Sequence, residues 1–241
     1  MPEKLSVEVK LNNGNVFTKT KDLDFTTALY ADTTPKLDGK MEGIWKLATA
    51  LSENRKDKFY SSDKKPWGGV EDVSVVHRLM YDEDNLYMFV EVTDNIHNNQ
   101  EDVSMLWAGD SIQIAMMEAR NQGIDDTSSS FTEIAFGLSG DNELMYRHSS
   151  CGGQPVGEIT NFDGVIVREG NKTVYEMRIP WSEIFDKEHK ANKGDIYAYS
   201  LLVNDSDGQR TGVDNRHGFM NYNDGIGISK DSKLFGNMNL K

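Results

Sequence analysis

The sequence predicts an all-β protein, a two-sheet antiparallel β-sandwich of the immunoglobulin-like or jelly-roll type with very little helix. Three observations predict this fold class. Apolar residues recur mostly with a period of two, clusters of Gly, Asn and Asp separate the alternating segments, and segments with a helical period are scarce. Short strands separated by turns at this spacing are typical of a sandwich or a barrel.

The amino-terminal segment is predicted to form a hairpin of its own. Alternating stretches at Leu5–Leu11 and Val16–Thr20 flank the turn Asn12–Asn15, which has the Asn and Gly residues that favour a tight connection. We interpret residues 1–28 as an added edge hairpin or as the tail of a preceding domain. Residues 29–241 are then predicted to form the sandwich domain.

The remaining strands follow from the same alternation. Val73 to Leu79 and Leu86 to Val92 each place alternate apolar side chains on one face, and the polar turn 82–85 between them predicts a hairpin. Seven further strands are predicted by the same pattern: Ser111–Met116, Phe131–Leu138, Glu143–His148, Gly164–Glu169, Thr173–Ile179, Ile196–Asn204 and Leu234–Leu240.

Two short segments have helical character. Ile44–Leu51 is one, and Trp181–Phe185 is the other. Pro180 favours entry into the second segment, and Ser182 is predicted to cap it.

Composition excludes several classes of protein. The chain has 26 Lys and Arg against 39 Asp and Glu, which gives a net charge of −13 and argues against binding to nucleic acid. It has no run of eighteen apolar residues, so membrane insertion is not expected, and no secretory signal is visible at its amino terminus. The single Cys151 excludes an intramolecular disulfide.

The common catalytic motifs are not matched. The five histidines have no metalloprotease spacing, and the Gly137–Gly140 segment is one residue short of a nucleophile elbow. Gly225-Ile226-Gly227 does not have the third glycine of a dinucleotide fingerprint. We therefore do not predict an enzyme.

Oxygen-rich turns offer candidates for a metal. Asp94, Asp205 and Asp207 are candidate ligands of a structural Ca²⁺ ion, because calcium prefers carboxylate and carbonyl oxygens. An EF-hand is excluded, since the twelfth position counted from Asp205 is Arg216. The alternative interpretation is a set of polar turns in which Asp and Asn bind their own backbone.

The aromatic residues suggest sugar recognition. Binding a sugar in water requires a flat apolar ring for its C–H face and planar polar groups for its hydroxyls. Trp107 lies just before a predicted strand, where a loop can present its ring to solvent. The alternative for any single Trp is packing in the core or at an edge.

Six ordered segments resemble carbohydrate-binding module family 9. The first is Leu37-Asp38-Gly39 followed by Trp45, and the third, residues 107–114, reads WAGDSIQI where the family has "W-x-x-D-S-V-E-I". The others are YDEDNLYMFVEVTD at 81–94, YEMRIPW at 175–181, VNDSDGQRTG at 203–212 and FGNMNL at 235–240. The resemblance implies an extracellular β-sandwich that binds glycans without cutting them and is often attached to a glycoside hydrolase.

The resemblance also implies site residues. Trp107 stands where the family has one wall of an aromatic clamp, Gln113 replaces an acidic residue that bonds sugar hydroxyls, and Arg210 matches the family's arginine. The second clamp tryptophan falls near Ile228 or Ser229, neither of which is aromatic. Tyr222 and Phe219 are the candidates for an opposing wall.

Three functions are consistent with the sequence. The leading prediction is a non-catalytic glycan-binding module of a secreted or cell-surface glycan-degrading protein, with an oligo- or polysaccharide as ligand. The second is a structural or docking module of a multidomain protein. The third is a haem b-binding electron-transfer domain, as in related sandwiches, with His77 and a methionine as axial ligands.

Overall fold

The structure of the protein, a computed structural model, describes residues 3–23, 26–41, 43–124, 129–160, 163–208 and 216–241. Within these residues the chain forms sixteen strands, numbered β1 to β16 in order. They are Glu3–Lys10, Val16–Leu23, Thr26–Tyr30, Leu51–Glu53, Phe59–Ser61, Val73–Tyr81, Asn85–Asp94, Ser111–Glu118, Thr132–Ser139, Asn142–Ser149, Gly157–Glu158, Asp163–Glu169, Lys172–Pro180, Ile196–Asp205, Gly218–Asn221 and Gly236–Leu240. The predicted all-β fold class is confirmed.

Fourteen of these strands form one curled, hydrogen-bonded sheet that folds over on itself. Along the chain of pairings the order is β11-β10-β9-β8-β14-β16-β3-β6-β7-β13-β12, with β4, β5 and β15 attached at the side. The sequence predicted two antiparallel sheets. Two connections, β16 to β3 and β3 to β6, are instead parallel, and they join the two layers of the sandwich into a continuous ladder.

The main core lies between the two layers. Val90 and Met177 from one layer meet Ile114, Phe136 and other inward side chains from the opposite layer. Alternation along each strand explains which residues point inward, since successive side chains point to opposite faces. The strands predicted from this alternation are present, each with its ends moved by a few residues.

The helical segments are shorter than predicted. Only Trp181–Ile184, labelled α1, is α-helical among the described residues. Pro180 stands at its amino-terminal boundary as expected, but no side chain caps the helix, so the predicted role of Ser182 is wrong. The segment predicted at 44–51 forms a 3₁₀ turn over Ile44–Leu47 and then enters β4. No helix in the described parts of the chain is long and apolar enough to cross a bilayer.

The amino-terminal hairpin is present, with β1 and β2 paired from Glu3↔Leu23 to Lys10↔Val16. Its strands form a two-stranded sheet separate from the large one. Val7, Val9 and Phe17 lie on one face of this hairpin and are about half exposed. An isolated two-stranded hairpin is only marginally stable.

Candidate functional site

The outer face of one layer carries a group of polar side chains. Ser111 and Gln113 on β8, Glu133 on β9 and Asn204 on β14 all point away from the main core, because their neighbours Ile112, Ile134 and Val203 point into it. Residues 222–235 fold back over the same face, where Ile226 and Phe235 pack on Ala115 and Leu202. This loop brings Lys230 to the edge of the polar group.

Trp107 stands beside this group. The 3₁₀ turn Val103–Ala108 precedes β8 and leaves the Trp107 side chain half-buried. The guanidinium carbon of Arg216 lies 4.9 Å from the centroid of the Trp107 ring and 4.9 Å from that of Phe219. The cation therefore contacts both rings, and such contacts are stabilising when they are shielded from water.

A continuous chain of hydrogen bonds runs from Arg216 to Lys230. Arg216 Nη1 donates to Asn204 Oδ1 at 2.9 Å, and Asn204 Nδ2 lies 2.9 Å from Ser111 Oγ and 3.0 Å from Gln113 Oε1. Gln113 Nε2 donates to Glu133 Oε1 at 2.6 Å. Lys230 Nζ donates to both carboxylate oxygens of Glu133, at 2.7 and 2.6 Å. We call Ser111, Gln113, Glu133, Asn204 and Lys230 the polar floor.

The charges of the polar floor are compensated within it. The Glu133 side chain is 2% exposed and is neutralised by Lys230, whose side chain is 47% exposed. His148 on β10 lies near this pair, and burial lowers its pKa while Glu133 opposes that shift. The imidazole is therefore neutral near pH 7. Each side chain of the floor has a partner, which fixes its orientation before any ligand arrives.

The structure brings two of the predicted sugar-binding residues together. Trp107 and Gln113 are linked through Arg216 and Asn204. Gln113 points to the outer face as expected, but it is only 4% exposed, because Glu133 and Asn204 enclose its amide. Arg210 lies outside the described residues. Among the described residues, Arg216 contacts Trp107.

Phe219 and Tyr222 do not form the opposing wall that was predicted. Phe219 is 1% exposed. Arg216 lies over its ring, and the ring stacks on that of Tyr60 with centroids 4.9 Å apart, so its face is not open to a sugar. Tyr222 follows the end of β15, and its ring contacts His77 at 4.5 Å between the layers of the sandwich. Strand alternation explains the difference, since residues three apart point to opposite faces. Ile228, near the expected second clamp position, is 72% exposed.

A second polar group closes the core at one end of the sandwich. Asp94 ends β7, Asp110 precedes β8 and Asp205 ends β14, each in register with the inward-pointing side chains of its strand. Asp72, before β6, and Asp207, after β14, lie next to them. We call these five residues the acidic cluster.

The carboxylates of the acidic cluster differ in their hydrogen bonding, and Asp205 is the one with both oxygens unpartnered in the described structure. Asp94 accepts from Arg168 and from the Ile96 amide, and Asp110 accepts from the amides of Asn98 and Ser206. Asp205 is 0% exposed, and neither of its oxygens has a hydrogen-bond partner among the described residues. Burial, with repulsion from Asp72, Asp94 and Asp207, raises the pKa of Asp205 to about 9.

The predicted calcium ligands lie in this cluster, divided over two groups. Asp94 groups with His97 and Asp110, and Asp207 groups with Asp72 and His217; within each group the possible ligand atoms lie within 4.8 Å of one another. Asp205 interacts electrostatically with members of both. A buried carboxylate without a partner is costly, so these residues fit a divalent cation.

Several residues of the site were missed by sequence reasoning. Asn204 ends a predicted strand, and its alternation with Val203 places it on the outer face. Glu133 carries the same signal, an acidic residue between core positions of a predicted strand. Arg216 and Lys230 lie in loops without periodicity, and nothing in the sequence indicates their contacts.

His77 was the proposed axial ligand in the haem-binding interpretation. Its side chain is fully buried, and its ring centroid lies 4.5 Å from that of Tyr222 and 6.0 Å from that of Tyr199. Tyrosine rings therefore occupy two sides of the imidazole, where a porphyrin plane would need space. Desolvation lowers the pKa of His77 to about 3.

Comparison with known proteins places the chain among domains that bind sugars. The profile of the family described as "Carbohydrate family 9 binding domain-like" matches residues 37–241. The exoglucanase XynX of Acetivibrio thermocellus is 28% identical over 230 residues, which cover 92% of this chain and 17% of that protein. The endo-1,4-β-xylanase A of Thermoanaerobacterium saccharolyticum is 27% identical over 230 residues, covering 92% and 16%. The chain thus spans about a sixth of the length of these relatives.

A solved structure shows the same fold. It is a carbohydrate-binding module family 9 protein from Caldicellulosiruptor kristjanssonii in complex with cellotriose. The TM-score is 0.66 at 20% sequence identity, and the match covers 90% of this chain and 94% of that one.

Proposed function

The chain belongs to the carbohydrate family 9 binding domain-like family, and from this premise we propose that it is a non-catalytic module that binds oligo- or polysaccharides. The family membership confirms the resemblance carried by the six sequence segments. The polar floor beside Trp107 is the proposed binding surface.

The observation that carries the proposal is the Trp107 ring, held by Arg216 at the edge of a preformed polar floor. A half-buried indole offers an apolar face to the C–H side of a pyranose. The Lys230 amine is exposed at the other end of the floor, where it can donate to hydroxyls. A sugar in such an open slot buries little area, so the expected affinity is modest, on the order of micromolar to millimolar.

Binding without cleavage is proposed from the charge pattern of the floor. Glycoside hydrolysis requires two carboxyl groups on opposite sides of the scissile bond. Among the residues described at the floor, Glu133 is the one carboxylate. Lys230 donates hydrogen bonds to both of its oxygens, and Gln113 donates to Oε1. Its role is therefore to orient the amine and the amide.

The relatives indicate which ligands to test first. Their names refer to glucan and xylan hydrolysis, and the structurally similar module was solved with cellotriose. We therefore propose that β-1,4-linked glucan or xylan chains are the ligands. We also propose that the chain serves a glycoside hydrolase domain in the same protein, outside the cell where such polymers occur. Tethering would then raise the local concentration of the enzyme at its substrate.

The test is titration calorimetry with cello- and xylo-oligosaccharides. Trp107→Ala should weaken binding about 100-fold or more, because it removes the stacking surface of a small site. Trp67→Ala is the matched control, since Trp67 is also half-buried but donates to Val73 O, away from the floor. Equal affinity in the wild type and Trp107→Ala would refute the site.

We further propose a structural Ca²⁺ ion held by Asp94, Asp205 and Asp207. The support is Asp205, whose two buried oxygens have no partner in the described structure and which is repelled by the other two carboxylates. A hard cation with oxygen ligands would offset this repulsion. Saturating CaCl₂ should raise the melting temperature of EDTA-treated protein by roughly 5–10 °C. The Asp205→Asn variant should lose most of that increase; a full increase in the variant would contradict the assignment.

We interpret the amino-terminal hairpin as a unit separate from the sandwich, either an edge hairpin or the tail of a preceding domain. Its strands pair with each other and with no other described strand. The half-exposed apolar face of Val7, Val9 and Phe17 supports the second possibility. Hydrogen exchange tests this: amides of β1 and β2 that exchange much faster than those of the large sheet would support a separate unit, and equal protection would favour an edge hairpin.

A further inference from the structure

His217 lies in a part of the acidic cluster that differs chemically from a calcium site. Its possible ligand atom lies within 4.8 Å of those of Asp72 and Asp207. Asp72 and His217 are buried, and Asp207 is half-buried. These three residues come from different segments, one before β6, one after β14 and one just before β15.

The imidazole of His217 is held in a fixed orientation. Nδ1 lies 2.9 Å from Asp63 Oδ1, and the ring packs on Phe59 with centroids 5.4 Å apart. The backbone carbonyl of His217 accepts from the amides of Ser62 and Asp63. With Nδ1 engaged, Nε2 is the nitrogen left for a ligand. A carboxylate behind one ring nitrogen is the usual support of a histidine that binds metal through the other.

Asp205 provides a second observation next to this group. Its neighbour Asn204 points to the outer face, so Asp205 points to the inner side, toward Asp72 and Asp207. Both Asp205 oxygens are buried without a hydrogen-bond partner in the described residues, and so is Oδ1 of Asp207. The protein supplies Arg168 to Asp94, but the described ion pairs include none to Asp72, Asp205 or Asp207.

We propose that Asp72, Asp207 and His217 form a binding site for a divalent transition-metal ion such as Zn²⁺, next to the buried carboxyl group of Asp205. Two carboxylates and one imidazole suit zinc and its neighbours, whereas calcium takes oxygen ligands almost exclusively. The site is distinct from the proposed Ca²⁺ position, although both use Asp207. Metal binding would tie the end of β14 to the start of β15, next to Asn204 and Arg216.

The test uses the whole chain after removal of metals by chelator and dialysis. Titration calorimetry with ZnCl₂ and with CaCl₂ should show one zinc ion bound about tenfold or more tightly in the wild type than in His217→Gln. Calcium affinity should be unchanged in this variant. His189→Gln is the matched control, because His189 binds Tyr197 away from the cluster, and its zinc affinity should equal that of the wild type.

Further measurements distinguish loss of the zinc site from misfolding of a variant and from adventitious zinc binding. Asp207→Asn, at a half-buried position, should also weaken zinc binding, and thermal unfolding without metal should show that both variants are folded. X-ray absorption at the zinc edge should show ligands at about 2.0–2.1 Å together with the outer-shell scattering of an imidazole ring. Equal zinc affinity in folded His217→Gln, or a spectrum without imidazole scattering, would overturn the proposal. Failure of calcium to bind would overturn the calcium assignment alone.

Discussion

Asn204 and Asp205 are neighbours on β14, yet they belong to two buried regions that differ in their hydrogen bonding. Asn204 lies in the polar floor, where its amide binds Arg216, Ser111 and Gln113. Asp205 lies in the acidic cluster, where its carboxylate has no partner among the described residues. Each side chain of the floor has a hydrogen-bond partner without a ligand, whereas the cluster contains a buried carboxyl group that has none in the described structure.

The difference indicates two kinds of function. A closed network holds each polar group in one orientation, which reduces the cost of ordering the site when a sugar binds. An open cluster of carboxylates gains stability only when a positive charge enters. The two proposals, sugar recognition by the floor and metal binding by the cluster, rest on this difference.

The difference between the two regions is tested most directly by substituting Asn204 and Asp205 separately. In EDTA at pH 7, Asn204→Ala should lower the free energy of unfolding by about 3 kcal/mol, because it leaves buried partners unsatisfied. Asp205→Asn should leave it unchanged or raise it, because the raised pKa of Asp205 makes folding at pH 7 take up a proton, a cost that the amide does not have. Urea unfolding measures both. Similar losses in the two variants would mean that Asp205 has a partner in the metal-free protein.

His77, in the core, resembles Asp205 in being a buried titratable group. Its ring nitrogens have no hydrogen-bond partner in the described structure. Its folded pKa of about 3 lies below its unfolded value of 6.5. The unfolded chain thus binds more protons between these pH values. The free energy of unfolding is therefore unaffected by His77 above pH 6.5 and decreases as the pH falls toward 3. The decrease is about 3 kcal/mol at pH 4.

His77→Leu should remove this acid sensitivity while keeping the core filled. The measurement is the free energy of unfolding of wild type and variant at several pH values from 7 to 4. Their difference should grow as pH falls. If the free energies of unfolding of wild type and variant change in parallel with pH, the pKa of His77 is the same in the folded and unfolded states and the prediction is wrong.

Lys230 is the exposed end of the polar floor, and its substitution tests the role of the floor in stability and in sugar binding. Lys230→Met should cost about 1 kcal/mol of stability, because Glu133 then keeps Gln113 as its remaining described partner. Affinity for oligosaccharide should fall about tenfold. Lys233→Met is the control, since Lys233 is exposed and three residues further along the same loop. If both lysine variants bind alike, Lys230 is not part of the sugar site.

The smallest effect is expected for the amino-terminal hairpin, which belongs to neither region. Removal of residues 1–24 should change the free energy of unfolding of the sandwich by less than about 0.5 kcal/mol, because β1 and β2 pair only with each other among the described strands. Oligosaccharide affinity should also be unchanged. Calorimetric unfolding of the shortened chain tests this, and a large loss would show that the hairpin packs on the sandwich.

Much of the fold was predictable because strand alternation is a local property. The order of Ile112, Gln113 and Ile114 within the predicted strand is sufficient to place Gln113 on the face opposite to the two isoleucines, as in the structure. The parallel pairings of β3 were not predictable, because a five-residue strand does not specify its partner. For Tyr222 and Phe219, proximity in sequence suggested a shared wall, but residues three apart along an extended segment point to opposite faces.

The sequence by itself determined the all-β class, the inward and outward faces of the strands, and the position of Trp107 before β8. These follow from periodicity and turn chemistry, which act over a few residues. Only the tertiary structure decided that Arg216 lies on Trp107, that Lys230 reaches Glu133, and that Asp205 is buried with Asp72 and His217. The physical reason is that these contacts join loops and strand ends distant along the chain, and their geometry is set when the two layers pack.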